Sequence, residues 1–218
     1  MLSPVQRQEI AVLSYNIRYN SSGDGLDLWD LRKAELINQI KQLNPISFGV
    51  QEATLTQMQD LEAGLTDYSY VGVGRDDGAT KGEFSAIFFK KDELRVLQED
   101  TFWLSDTPEK VSVGWDAALP RICTYAFFEH KSSKNRFWHF NTHFDHMGVK
   151  AREESAKLIV SKIKSLVSSE EAIILSGDFN AEPHEEPILV LKNNFQDPIE
   201  TVDLKGSLGT FNGFDLYA

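Results

Sequence analysis

Short apolar runs that end in an acid, an amide or a histidine, and that are each followed by helical periodicity, constrain this chain more than any single residue does. The run Ile173-Ile174-Leu175-Ser176 closes on Gly177-Asp178-Phe179-Asn180, as a buried strand bounded by punctuation would. In extended backbone Asp178 and Asn180 leave one face while Phe179 turns toward packing. Gly177 admits a close neighbour to the backbone. The same two polar residues also suit Asx-type hydrogen bonds in a local turn.

Three other segments repeat the pattern. Ile10 to Arg18 alternates Val12, Ser14, Asn16 and Arg18 against Ala11, Leu13, Tyr15 and Ile17, so a strand ends near Asn16. Ile46 to Glu52 is a strand that ends on Glu52, ahead of a helix from Leu55 whose Thr54 and Gln57 form a capping box. Arg136 to Phe144 carries Phe137, His139, Asn141, His143 and Asp145 on one face, which turns polar toward its end. Helical spacing marks 30–43 and 151–167, with a short helix around 187–192. Tyr68 to Gly74, Phe84 to Lys90, Arg95 to Leu104 and Arg121 to Glu129 read as further strands, mostly antiparallel. Strands interleaved with helices predict an α/β (α+β) chain, and no linker or repeat divides residues 1–218.

The formal charge of -11 and a pI near 4.9 disfavour a protein that grips long duplex DNA through its phosphates. That leaves a phosphorylated small molecule, a nucleotide or a short nucleic-acid end, and the oligomeric state open. Cys123 has no second cysteine to pair with and reads as a core residue. Met1 to Glu9 has no apolar signal core and no run is long enough to span a bilayer, so the expected location is cytoplasmic. A trimmed signal peptide would make it secreted or periplasmic.

Taken singly, Asn16 suits a turn, Glu52 a solvated helix start and His143 a hydrogen-bonded structural histidine. Taken together they describe chemistry. Asn16, Glu52 and Asp178 are hard oxygen donors suited to Mg²⁺ or Mn²⁺. His143 can donate to a phosphate oxygen, Asp178 can orient or deprotonate a water, and Asn180 can fix that water or a phosphate oxygen. Such a set points to metal-assisted phosphoester hydrolysis.

The blocks Ser14-Tyr15-Asn16-Ile17-Arg18, Gly49-Val50-Gln51-Glu52, Asn141-Thr142-His143-Phe144-Asp145-His146 and Ser176-Gly177-Asp178-Phe179-Asn180 occur in the order of the endonuclease/exonuclease/phosphatase, or deoxyribonuclease-I-like, superfamily, which the chain resembles. Gly74 to Gly78, Gly82 to Phe89, Thr101 to Ser105 and Pro120 to Thr124 resemble its bacterial branch related to deadenylases. The resemblance implies a two-sheet β-sandwich flanked by helices in four layers, with the site at one end. It implies that Asn16 and Glu52 help hold the metal, that His143 contacts the scissile phosphate, and that Asp178 with Asn180 positions the attacking water. Arg75, Glu83 and Arg121, in branch-specific loops, would line the substrate pocket, although Arg75 and Glu83 equally suit solvated loop charges. Family members continue past a block like Thr210-Phe211-Asn212-Gly213 into a strand and a Ser-Asp-His motif, where the acid binds metal and the histidine moves a proton. That motif is missing here, so a C-terminally truncated single domain is expected, and His146 and His184 do not replace it. The expected activity is that of a Mg²⁺- or Mn²⁺-dependent phosphodiesterase or phosphatase. The alternative is a non-catalytic binding domain on the same scaffold.

Overall fold

In the computed structural model, which describes residues 10–168, 171–202, 210–211 and 213–214, the strands form two mixed sheets packed face to face. The Met1 to Glu9 stretch read for a signal core, and Gly209, Asn212 and residues 215–218, lie outside the described residues. The first sheet contains β1 (Val12–Asn16), β2 (Ser47–Gln51), β3 (Tyr68–Val71) and β4 (Ile87–Lys90) in the order β1-β2-β4-β3. The second contains β5 (Leu94–Trp103), β6 (Ile122–His130), β7 (Arg136–His143) and β8 (Ala172–Asp178) in sequence order. Helices α1 (Trp29–Leu43) and α2 (Leu55–Gly64) cover the first sheet, and α3 (Val149–Leu166) and α4 (Glu186–Lys192) the second. Two-sheet packing between helical layers is the architecture expected from the sequence.

Each layer boundary follows from strand alternation. Phe48 and Val50 of β2 point outward into a core with Leu36, Ile40, Met58 and Leu61, whereas Ser47, Gly49 and Gln51 face the other sheet. Phe140 and Trp138 of β7 pack outward on Ile159, Val160 and Ile163 of α3. Between the sheets lie Ile87, Phe89, Leu94, Phe128 and Phe137. That apolar middle layer gives way to polar residues toward the end where the strands carry Asn16 and His143.

The parallel pairs matter most for function. β1 pairs with β2 and β7 with β8, because α1 and α3 provide the crossover that parallel strands need. The carboxyl ends of all four strands therefore emerge at one end of the sandwich, where ligands bind in open α/β sheets. Several strand readings shorten, the first from Ile10–Arg18 to Val12–Asn16 and the second from Ile46–Glu52 to Ser47–Gln51. The strand expected from Phe84 begins at Ile87, since Phe84 only bridges Ala53 and Gly74, and that expected to Gly74 ends at Val71, before the positive-φ Gly72. Cys123 is buried, and burial pushes its thiol well up. Among the described residues no helix is long and apolar enough to cross a membrane.

Candidate active site

Asn16, Glu52, His143, Asp178 and Asn180, far apart in sequence, meet at the strand ends. The Asn16 amide bridges two carboxylates: its Nδ2 donates to Glu52 Oε1 at 2.9 Å and to Asp178 Oδ2 at 2.8 Å. Asn16 lies on the first sheet and Asp178 on the second, so this amide spans the sandwich. The other Glu52 oxygen accepts the Tyr19 N–H at 3.0 Å.

The loop after β1 is held for that contact. Arg32 donates to the Ile17 and Arg18 carbonyls and Gln57 Nε2 to that of Arg18, each within 2.8 Å. Arg18, Glu52 and Asn180 all have positive φ, at 55°, 64° and 46°. Left-handed backbone is strained for residues with a Cβ, and such strain clusters at functional sites. It also turns Glu52 back over the strand end.

Asp178 and Asn180 realise both of the arrangements open to them. Asp178 Oδ1 accepts the Asn180 N–H at 3.0 Å, which is the local Asx bond, while Oδ2 reaches Asn16. Asn180 leaves extended backbone, so the shared face comes from a turn rather than from a continuing strand. Phe179 packs edge-on against Phe144, with ring centroids 5.3 Å apart. Gly177 has a φ of 155°, and a Cβ there would overlap the Thr142 carbonyl of the neighbouring strand. The close approach it allows is to β7.

The Asn180 Nδ2 donates to the Phe144 carbonyl and lies 3.0 Å from His143 Nε2. An amide donating on both sides makes Nε2 an acceptor and puts the imidazole proton on Nδ1. Nδ1 is buried without a hydrogen-bond partner, 3.9 Å from Glu83 Oε2. Burial pushes the His143 pKa down to about 4, helped by Arg121 and Arg75 and opposed by Asp178 and Glu52, so the ring is neutral near pH 7.

Arg75, Glu83 and Arg121 stand behind His143. Arg75 grips Glu83 with two nitrogens at 2.7 and 3.1 Å and is 7% exposed, which excludes a solvated loop charge. Burial raises the Glu83 pKa against the pull of Arg75. Arg121 Nε donates to Asp145 Oδ2 at 3.1 Å and its Nη2 lies 2.9 Å from His146 Nδ1. Arg75 Nε and Arg121 Nη1 are buried without a hydrogen-bond partner, although Arg75 Nε lies 3.8 Å from Asp76 Oδ1. Asp145 also accepts the N–H groups of Met147 and Gly148, so it shapes the turn into α3.

Carboxylate oxygens from Glu52 and Asp178 converge within hydrogen-bond distance of the Asn16 amide nitrogen, while the Asn16 oxygen accepts the Arg18 N–H at 2.9 Å. A divalent cation such as Mg²⁺ takes one or two carboxylates and completes its shell with water and phosphate, and this donor set fits that need. Among the described residues no group of three or more His, Cys, Asp or Glu side chains is placed to hold a metal ion. The sequence reading missed the buried Ser47, Gln51, Asn141 and Ser176 contacts beneath the site, although Gln51, Asn141 and Ser176 each lie within two residues of a chosen one.

A model of the Endonuclease/Exonuclease/phosphatase family matches residues 13–217. An uncharacterized protein of Acanthamoeba polyphaga mimivirus is 33% identical over 175 residues, covering 76% of this chain and 64% of that protein. The chain thus spans less than two thirds of that relative's length. A mannosyl-6-phosphatase of Bacteroides thetaiotaomicron superposes with a TM-score of 0.83 at 40% identity, covering 85% of this chain and 70% of the other. The human Nocturnin catalytic domain with bound sulfate anion shares the fold, with a TM-score of 0.70 at 18% identity, covering 85% and 70%.

Proposed function

This chain belongs to the endonuclease/exonuclease/phosphatase family, and from that premise we propose that it is a Mg²⁺- or Mn²⁺-dependent phosphoester hydrolase of a phosphorylated small molecule, with sugar phosphates the first candidates. The observation that carries the reading is the Asn16 amide, which joins Glu52 on one sheet to Asp178 on the other beside His143 and Asn180. The 40% identical mannosyl-6-phosphatase and the charge of -11 support a small substrate over long duplex DNA.

Glu52 would hold the cation together with Asn16, whose amide would turn its oxygen from the Arg18 N–H toward the carboxylates that its nitrogen faces in the structure. When bound, it neutralises charge on the phosphoryl oxygens. Asp178 would accept a proton from water through the oxygen that faces Asn16, and Asn180, whose N–H groups are taken by Asp178, Phe144 and His143, would orient that water by accepting from it with its side-chain oxygen. The neutral imidazole of His143 and the Asn180 amide act as one hydrogen-bonded unit beside the phosphate. Arg75, Glu83 and Arg121 form the charged wall behind it and select the substrate's remaining groups.

The test is hydrolysis by the full-length protein of mannose 6-phosphate, other sugar phosphates, nucleotides and a nitrophenyl phosphodiester, with Mg²⁺ or Mn²⁺ and with a chelator. Asp178→Asn keeps the shape and loses the base, so kcat falls by about a hundredfold to ten-thousandfold. Metal-independent turnover, or full activity in Asp178→Asn, refutes the mechanism. Retained Mn²⁺ binding with no turnover across the panel favours the non-catalytic binding domain.

A further inference from the structure

The residues that join the two sheets lie one layer beneath the candidate site. Asn141 is fully buried on β7, two residues before His143 and on the same face. Its Nδ2 donates to the Val50 and Ala86 carbonyls of the opposite sheet at 2.9 and 3.0 Å. Its Oδ1 accepts from Gln51 Nε2 at 2.7 Å and from Ser176 Oγ at 3.1 Å. Both amide hydrogens and both acceptor directions are therefore used. His139 extends the chain of contacts, with Nδ1 3.0 Å from Ser47 Oγ and Nε2 2.9 Å from Ser176 Oγ. Gly49 makes the room, because a Cβ there would overlap Asn141 Oδ1 and lie 2.8 Å from Ser176 Oγ.

The placement of these residues follows the site residues. Gln51 precedes Glu52 in the chain and is the register partner of Asn16. Asn141 pairs with Ser176 as His143 pairs with Asp178, one step further along the same two strands. We propose that Asn141, with Gln51, Ser176 and His139, is a positioning network that sets the register between the sheets and so the approach of Asn16 and Glu52 to His143 and Asp178. Apolar packing between sheets tolerates small slides, whereas three directed hydrogen bonds from the buried Asn141 across to Val50, Ala86 and Gln51, with Ser176 fixing the same amide oxygen from its own sheet, select one arrangement. The kinetic part of the test rests on the hydrolase reading given above, and the structural part does not.

Asn141→Asp keeps the shape of the side chain but turns an oxygen toward two carbonyls. Ser176→Ala removes one hydroxyl and serves where Asn141→Asp does not fold. Phe128→Leu, in the apolar middle layer away from the site, is the control for a comparable fall in melting temperature. Crystal structures measure the Asn16 Nδ2 to Asp178 Oδ2 separation, 2.8 Å in the native protein. In either network variant it lengthens beyond about 3.5 Å, outside hydrogen-bond reach, and in the control it does not. Where the native protein turns over substrate, kcat of the folded variants falls by at least about tenfold with KM within about twofold, the signature of misplaced reacting groups. An unchanged separation in both network variants, or a kcat loss no larger than the control's, overturns the proposal. A native protein that hydrolyses nothing refutes the hydrolase reading alone, and the separation still decides the network.

Discussion

Replacing Arg121 with Met removes one charge from a pair that is almost wholly enclosed. The side chains of Arg121 and Asp145 are 4% and 0% exposed, with Nε 3.1 Å from Oδ2. Methionine fills part of the volume, so the main loss is the countercharge. Breaking a buried pair in this way costs about 3–5 kcal/mol, because the partner's charge stays buried. Asp145 Oδ1 keeps the Met147 and Gly148 N–H groups at 2.9 and 2.8 Å, which places the cost at the lower end, about 3 kcal/mol. For a chain of this size that lowers Tm by about 6–12 °C. Burial alone would raise the Asp145 pKa, but the Gly148, Met147 and Ala118 N–H groups and the Arg121 guanidinium outweigh it and hold the carboxyl well below the usual range. A depressed carboxylate stabilises the fold above its unfolded pKa, near 4, and loses that contribution as pH falls through the folded value. Removing Arg121 raises the folded value. The unfolded value is common to both proteins, so the stability gap between them is full above the variant's raised folded value and narrows as pH falls through that value toward the native one. Urea unfolding followed by circular dichroism at several pH values measures it. A gap under about 1 kcal/mol at neutral pH, or one that stays constant into acid, refutes the assignment of a buried charge pair.

Three smaller perturbations probe other parts of the argument. The first turn of α3 is capped from a distant loop, where Asp116 accepts the Ala151 N–H at 2.6 Å and the Lys150 N–H at 3.3 Å, so Asp116→Ala costs about 1 kcal/mol in urea unfolding. Burial pushes the His139 pKa down to about 3. The unfolded chain then binds a proton that the fold refuses, stability falls as pH drops below about 6.5, and His139→Gln flattens that slope by up to about 1.4 kcal/mol per pH unit. Gly49→Ala drives a methyl group into Asn141 Oδ1, and a loss of about 1–3 kcal/mol in the same assay is expected for such overpacking.

The strand ends and their polar residues were legible because strand alternation and end punctuation are local. Asn16, Glu52, His143, Asp178 and Asn180 all lie where that reading put them, at or just past a strand end. The start of β4 was misread at Phe84, since an apolar residue in a bridge carries the same local signal as one in a ladder. Arg75 and Glu83 could not be told from solvated charges, because loop residues carry no periodicity that marks burial; in the structure Arg75 is enclosed, with the distant Trp103 indole N–H donating to its carbonyl at 2.8 Å. The Arg121–Asp145 pair was likewise invisible: two charges 24 residues apart carry no mark of contact in sequence.

By itself the sequence determined that strands ending in polar, oxygen- and nitrogen-bearing side chains alternate with helices, because side-chain direction repeats over two or four residues whatever the rest of the chain does. Which ends meet was decided only by the tertiary structure. The Asn16–Asp178 contact spans 162 residues and the Gln51–Asn141 contact 90, and both cross between sheets. No local preference encodes such a distance. It is set where Gly49 lacks a side chain and Asn141 fills the space, so the register of two sheets turns separate polar strand ends into one site.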